Sequence, residues 1–359
     1  MSRDVIIITG AAGFLGSALA VGLSKDHQII AVDRRHPTDD LRQATPSAWW
    51  HQIDISNHDA VATLFHEVIA ALGRIDFVIH FAAYYDFNTR WHEEYERTNV
   101  VGTANVLRYS RETRVKRLIF ASSIAALSPP ASNGTLTEKT APSDYIPYAK
   151  SKSIGEEMLL EKTSHLPVII LRIGGAFSDW CELPPLSSAL RMWTGGFPMD
   201  RIVAGRGASG IPYIHRLDVV HLVKLCLDKH DQLDPAEIFL ASQNGAVSHK
   251  DLWTTVSQAW KQKPLRPWFM PKHIAAIGVR LNYLQGCFTG RMPFERPWMT
   301  RYIDHPWVAD TTYTRTRLDW DCTASMQILE RIPTLLRVIR HRHHRWITRN
   351  NIRNRADYT

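Results

Sequence analysis

The sequence predicts an α/β protein in which a doubly wound parallel sheet carries a smaller C-terminal substrate lobe. Three observations point there. Short β-branched runs alternate with longer amphipathic stretches over the first 175 residues, the rhythm of strands joined by crossover helices. The first run ends in a glycine-rich turn that opens a helix. The 359 residues show no internal repeat and no low-complexity linker, so two interleaved lobes are expected, not a string of units.

In chain order, strands are expected at Val5–Thr9, 28–32, 77–81, 117–121 and 168–171. Helices are expected at 13–25, His58–Leu72, 95–111 and 148–163, each with apolar residues at spacings of three and four. This is the order of a Rossmann-type sheet. From Gly174 the pattern is broken by prolines and glycines up to Gly210, and Asp218 stands where it could cap a helix over 219–227. The expected division is a dinucleotide-binding domain over 1–175, with 211–245 returning to it, a substrate lobe over 176–335 and a basic tail over 336–359.

The turn after the first strand reads Gly10-Ala11-Ala12-Gly13-Phe14-Leu15-Gly16. Glycines permit a tight turn and close backbone approach, and the following helix offers free N–H groups and a positive dipole end to a pyrophosphate. Asp33, 23 residues after Gly10, ends the second strand, where a carboxylate can accept hydrogen bonds from adenosine ribose hydroxyls and repel a 2′-phosphate. NAD is the expected cofactor. Arg34 and Arg35 keep NADP open, because a guanidinium could bind a 2′-phosphate bidentately.

Tyr148 and Lys152 are four residues apart in a helical stretch and so share a face. A cation beside a phenol favours the phenolate, and a depression of about three pKa units is worth roughly 4 kcal/mol. Tyr148 could then exchange a proton with a substrate oxygen while hydride moves to or from a nicotinamide. Ser123, at the mouth of the 117–121 strand, could hydrogen-bond the same oxygen. Ser122 alternates to the other face, and His80 reads as a satisfied core residue of a buried strand.

Taken in order, the glycine loop, Asp33, Asp54-Ile55, His80-Phe81-Ala82-Ala83, Thr98-Asn99-Val100, Ala121-Ser122-Ser123 and the Tyr148/Lys152 pair resemble an extended short-chain dehydrogenase/reductase of the NAD-dependent epimerase/dehydratase type. The resemblance covers roughly residues 4 to 335. It implies that Asp54 and Ile55 hold the adenine, that Ala82 and Asn99 lie along the cofactor, and that Lys152 also binds the nicotinamide ribose. Within the family, dehydratases carry an acidic pair after the hydroxyl residue, where this chain has Ile124 and Ala125. Epimerases usually offer an asparagine after the Leu-Arg strand, where this chain has Gly174 and Gly175. The layout from Pro267 to Gly290, with Trp268, Phe269 and Met270, is similar to the 3β-hydroxysteroid dehydrogenase-like branch. The leading expectation is therefore oxidation and reduction of a secondary alcohol on a lipophilic, sterol-like or long-chain β-hydroxy substrate. A nucleotide-sugar 4-epimerase is the alternative. A non-catalytic cofactor sensor is disfavoured by the presence of both Tyr148 and Lys152. The resemblance also implies a homodimer through the 95–111 and 148–163 helices.

Composition bounds the remaining classes. Hydrophobic and charged fractions of 45% and 22% argue against a disordered or fibrous chain. The four cysteines make no Cys-x-x-Cys pair, so neither a metal site nor a disulfide framework is expected. No leader and no membrane span is read, and a cytoplasmic location fits. Eight arginines and no acid between positions 331 and 355 account for the whole net charge of +8. Ile332, Leu335, Leu336 and Ile339 fall at helical spacing among them, which suits either a closing helix docked on the body or peripheral contact with anionic lipid or an acyl carrier. No nucleic-acid motif accompanies the arginines.

Overall fold

The computed structural model describes residues 3–130, 134–161, 166–263, 265–290 and 292–354, so the end of the expected 148–163 helix and the last residues of the tail lie outside the described residues. Seven strands form the central sheet: β1 (Val5–Thr9), β2 (Gln28–Asp33), β3 (Trp49–Gln52), β4 (Phe77–His80), β5 (Arg117–Ser123), β6 (Val168–Ile173) and β7 (Ala236–Ala241). Their spatial order is β7-β6-β5-β4-β1-β2-β3, and every pairing is parallel. The order reverses between β1 and β4, and the loops leaving their carboxyl ends diverge to open a crevice.

Alternation along β1 shows why both faces are covered. Ile6 and Ile8 pack on one side with Leu19, Ala20 and Leu23 of α1 (Phe14–Leu23). Val5 and Ile7 pack on the other with Val61, Leu64 and Phe65 of α2 (His58–Leu72) and Val106 of α3 (Gly102–Glu112). Two strands were not expected from the sequence. β3 is an edge strand of sequence Trp-Trp-His-Gln with exposed ends, so it lacks the apolar run that marks a buried strand. β7 sits at the opposite edge, beyond the Gly/Pro-broken region, with Ala236 to Ala241 paired to β6.

Helix boundaries follow local physics. The 95–111 stretch is two elements, a π-helical turn over Tyr95–Val101 and then α3, and the turn puts Asn99 against the loop after β4. α4 (Pro147–Leu160) starts with proline at its first position, where the absent N–H costs nothing. Asp218 does not cap α5 (Arg216–Asp228): the cap is the His215 ring, and Asp218 instead accepts from the Thr323 N–H and hydroxyl at 3.2 and 2.6 Å.

The second lobe has its own core of Phe177, Leu186, Leu190 and Trp193 with Leu252, Trp253 and Val256 of α6 (His249–Lys261). Helix α7 (Lys272–Thr289) lies at its edge. α8 (Ile328–His341) closes the lobe, burying Ile332, Leu335, Leu336 and Ile339 in the same core. The tail's apolar stripe is therefore consumed inside the protein. Its arginines are held by aromatic faces, Arg340 at 4.6 Å over Trp260 and Arg345 and Arg349 at 5.2 and 5.0 Å over Trp180.

Candidate active site

The glycine loop is shaped by contacts that leave no room for side chains. Gly10 has φ +72° and a Cβ there would sit 2.7 Å from the Ala82 nitrogen; at Gly16 a Cβ would sit 2.0 Å from the Gly10 carbonyl oxygen. No side chain caps the α1 amino terminus, so its N–H groups face the crevice. Asp33 lies behind the loop. Its carboxylate accepts from the Ala12 and Arg35 main-chain N–H groups, both at 3.0 Å, and from the Arg35 guanidinium at 3.1 and 3.3 Å.

From this loop a cleft of about 1640 Å³ runs into the second lobe, and Gly10, Gly13, Phe14, Leu15, Gly16, Arg34, Ser123, Tyr148 and Lys152 all line it. A side recess of about 70 Å³ is lined by Asp33, Arg34, Asp54, Ile55 and Ala82. Asp54 is already engaged: Ser56 donates its N–H and hydroxyl at 2.9 and 2.7 Å and Arg97 pairs with it, and against the opposing effect of burial these hold its pKa below the usual carboxylate range. Asn99 departs from expectation. It lines neither space; its amide accepts from the Tyr84 N–H at 2.7 Å and donates to the Tyr84 carbonyl and Ser151 hydroxyl, so it ties the β4 loop to α4 behind the wall.

Ser123, at the end of β5, accepts from the Ala125 N–H at 3.1 Å and lies close enough to the Tyr148 hydroxyl to favour its phenolate. Here the geometry corrects the sequence argument. Burial pushes the Tyr148 phenol well up, the Ser123 contact only partly opposing it, and Lys152 is not its neighbour by hydrogen bond. Lys152 donates instead to the Ala121 carbonyl at 2.7 Å and lies 4.8 Å over the Phe120 ring. Burial lowers its pKa to about 7, with Glu156 acting the other way. Ser122 borders the cleft but donates its hydroxyl to Glu156, and Glu156 forms a fully buried pair with Arg172 at 2.7 Å. The sequence reading missed that pair. His80 bridges the Thr9 and Thr103 hydroxyls at 2.7 and 3.0 Å, and burial takes its pKa down to about 3, so it is a neutral core group.

The wall opposite Tyr148 is aromatic, with Tyr85 and Phe87 ring centroids at 5.0 and 5.8 Å and Phe294 against Phe87. Gly174 and Gly175 are explained by crowding, since a Cβ on Gly174 would meet the Pro212 carbonyl at 2.8 Å. Cleft residues that sequence reasoning did not single out include Arg191, Arg216, Arg296, Arg349 and Asn282. They are scattered over 159 positions, from Arg191 to Arg349, with no local spacing to mark them. Among the described residues no group of three or more His, Cys, Asp or Glu could hold a metal ion.

The profile of the NAD dependent epimerase/dehydratase family matches residues 6–241, about two thirds of the sequence. The chain belongs to this family. Its members are NAD-dependent, and the crowded glycines, the uncapped α1 terminus and the Asp33 carboxylate fit that dinucleotide. A Lactobacillus helveticus UDP-glucose 4-epimerase is 28% identical over 182 residues, 48% of this chain and 53% of that protein. UDP-arabinose 4-epimerase 1 of Arabidopsis thaliana is 29% identical over 180 residues, 46% of this chain and 42% of that protein. The matched stretch thus spans about half the length of these curated relatives. A Thermotoga maritima UDP-glucose 4-epimerase structure with UDP-glucose has the same fold, with TM-score 0.70 and 18% identity over 94% of this chain and 99% of that one. The Bordetella bronchiseptica enzyme WbmG in complex with NAD gives TM-score 0.70 and 19% identity, over 94% of each chain. Three of these four are named as UDP-sugar 4-epimerases, and the expected likeness to the 3β-hydroxysteroid dehydrogenase-like branch has no counterpart among the four.

Proposed function

We propose that this family member inverts a secondary alcohol on a nucleotide-activated sugar, a 4-epimerase-type reaction run on NAD. The observation that carries this reading is the charge of the cleft beyond Tyr148. Arg191, Arg216, Arg296 and Arg349 line it against two carboxylates, Glu182 and Glu295. Part of this charge is balanced, since Arg349 donates to Glu182 at 2.9 Å. Even so, the four guanidinium groups outnumber the two carboxylates, and the surplus positive charge favours an anion. A sugar diphosphate supplies such an anion, and the curated relatives are named for UDP-sugars.

Bound NAD supplies the acceptor for a hydride from the alcohol carbon and the donor for its return. Tyr148 takes the hydroxyl proton and gives it back, and Ser123, on the same cleft wall, is placed to hydrogen-bond the reacting oxygen. The buried phenol is neutral by itself, which suits the donating half of the cycle. For the accepting half it relies on the nearby Ser123 hydroxyl, which acts against the effect of burial on the phenol.

The test is incubation with NAD and either UDP-glucose or UDP-arabinose, with chromatographic separation of the C4 epimers. The epimer should appear without accumulation of NADH, because the hydride is returned. A second reading, net oxidation of a lipophilic secondary alcohol, is favoured by the aromatic wall of Tyr85, Phe87 and Phe294. NADH accumulating with such an alcohol, and no epimer from either UDP-sugar, would replace the first reading by the second.

A further inference from the structure

We propose that the outer face of α7 is a docking surface for an anionic lipid bilayer. Ile274, Ile277, Leu281, Leu284 and Phe288 recur at alternating spacings of three and four, so they form one stripe along the helix. All five face solvent, from 47% exposed at Ile274 to 89% at Phe288, while only Ala275 and Gly286 of the helix are buried. The stripe continues into the strand Trp268–Met270, where Trp268 and Phe269 are also exposed, and Phe197 packs its exposed ring edge-on against Trp268 at 5.3 Å. An apolar surface of this extent is uncommon on a protein that meets only water.

Charge decides what covers it. Residues 262–294 contain no aspartate or glutamate, whereas Lys263, Arg266, Lys272, Arg280 and Arg291 are cations. Lys272 also reaches Asp304, at 3.7 Å. A second copy of this chain would bring the same cations together, whereas a bilayer rich in acidic headgroups offers opposite charge to them and acyl chains to the stripe. Exposed tryptophan and phenylalanine beside the helix suit the headgroup boundary. Among the described residues no helix is long and apolar enough to cross a membrane, so the contact is one of lying on the surface. The expected site of such contact was the arginine-rich tail, but the apolar stripe there is buried in the second-lobe core.

The inner side of α7 gives this placement a use. Ala275, Gly278, Val279 and Asn282 line the substrate cleft, so a docked protein holds the cleft one helix diameter, about 10 Å, from the bilayer.

The experiment is co-sedimentation of the full chain with vesicles of phosphatidylcholine alone and of three parts phosphatidylcholine to one part phosphatidylglycerol. The full chain should partition onto the anionic vesicles and not onto the neutral ones. Leu281→Asp with Phe288→Asp should weaken that partitioning at least tenfold, and Arg266→Glu with Arg280→Glu should weaken it and remove its salt dependence. NAD binding and the thermal midpoint should be unchanged in both double variants, since the four side chains face solvent. Absence of anionic-vesicle binding by the full chain, or equal binding by the Leu281/Phe288 variant, overturns the proposal. So does sedimentation velocity showing a dimer that the Leu281/Phe288 variant dissociates, which would make a second copy the occupant.

Discussion

Replacing Asp33 with Asn tests how the dinucleotide half selects its cofactor. The Asp33 carboxylate has room for about four hydrogen bonds and accepts four, two from main chain and two from the Arg35 guanidinium. A ribose hydroxyl reaches it by displacing the guanidinium, whose side chain is 49% exposed. A 2′-phosphate would meet an anion instead, at a cost of about 4 kcal/mol per charge pair for a separation of 4 Å and an effective dielectric near 20. Solvent and the neighbouring guanidinium screen part of this, so we expect at least about 1.4 kcal/mol to survive, a tenfold change in the ratio of NAD to NADP dissociation constants. Asp33→Asn should move that ratio toward NADP by tenfold or more, and Arg35→Ala in the native background should weaken NADP further while sparing NAD. Fluorescence titration with each dinucleotide reads both. An unchanged ratio in Asp33→Asn would mean that the carboxylate does not face the adenosine ribose, and the assignment of the recess would fail.

Three further outcomes follow from the same geometry. Tyr148→Phe should lower kcat by about a hundred- to ten-thousandfold with NAD affinity retained, read by epimer formation and by titration. Glu156→Gln leaves the buried Arg172 guanidinium without its counter-charge, with the Glu138 and Thr140 carbonyls at 3.0 and 2.9 Å and one amide oxygen still accepting, and should cost about 3–5 kcal/mol in urea unfolding. Glu156→Leu with Arg172→Met should recover most of that loss, and a double variant as unstable as the single one would contradict the pairing argument. Lys152 is buried with a pKa near 7 against an ordinary 10.5, so the unfolded chain binds more protons than the native one between those values. Unfolding free energy should therefore rise with pH across that window, and Lys152→Met should flatten the rise in urea midpoints.

The features legible in the sequence are those that one segment dictates by itself. The glycine loop, Asp33 and the Tyr148/Lys152 spacing can be read because each depends on a strand end or a helix face, and the chain places the loop, Tyr148 and Lys152 on one cleft with Asp33 on the side recess. What Lys152 touches depends on β5, 31 residues away, and so the expected salt effect on the phenol was misread: the ammonium found the Ala121 carbonyl first. Asn99 was misread for a similar reason. A π-helical turn rotates its amide toward Tyr84 and Ser151, and nothing in Thr98-Asn99-Val100 announces that turn. The cleft arginines come from separate elements, Arg191 and Arg349 from helices of the second-lobe core and Arg216 from a helix packed on the central sheet, so no single segment announces them.

The two amphipathic helices of the second lobe show where such reading ends. Residues 328–341 and 272–289 both carry apolar side chains at spacings of three and four with cationic residues among them, and by periodicity the two are alike. α8 lies against α6 and its stripe vanishes into the core with Leu252 and Val256, while α7 turns its small residues to the cleft and its large ones to solvent. The difference lies in the inward residues. Ala275, Gly278 and Val279 are small because the cleft needs the space behind them, and a helix whose inward face is small must present its bulk outward. The exposed stripe is thus a consequence of making room for substrate. Covering that stripe with lipid relieves the exposure without closing the cleft, whereas packing α7 more deeply into the lobe would fill it.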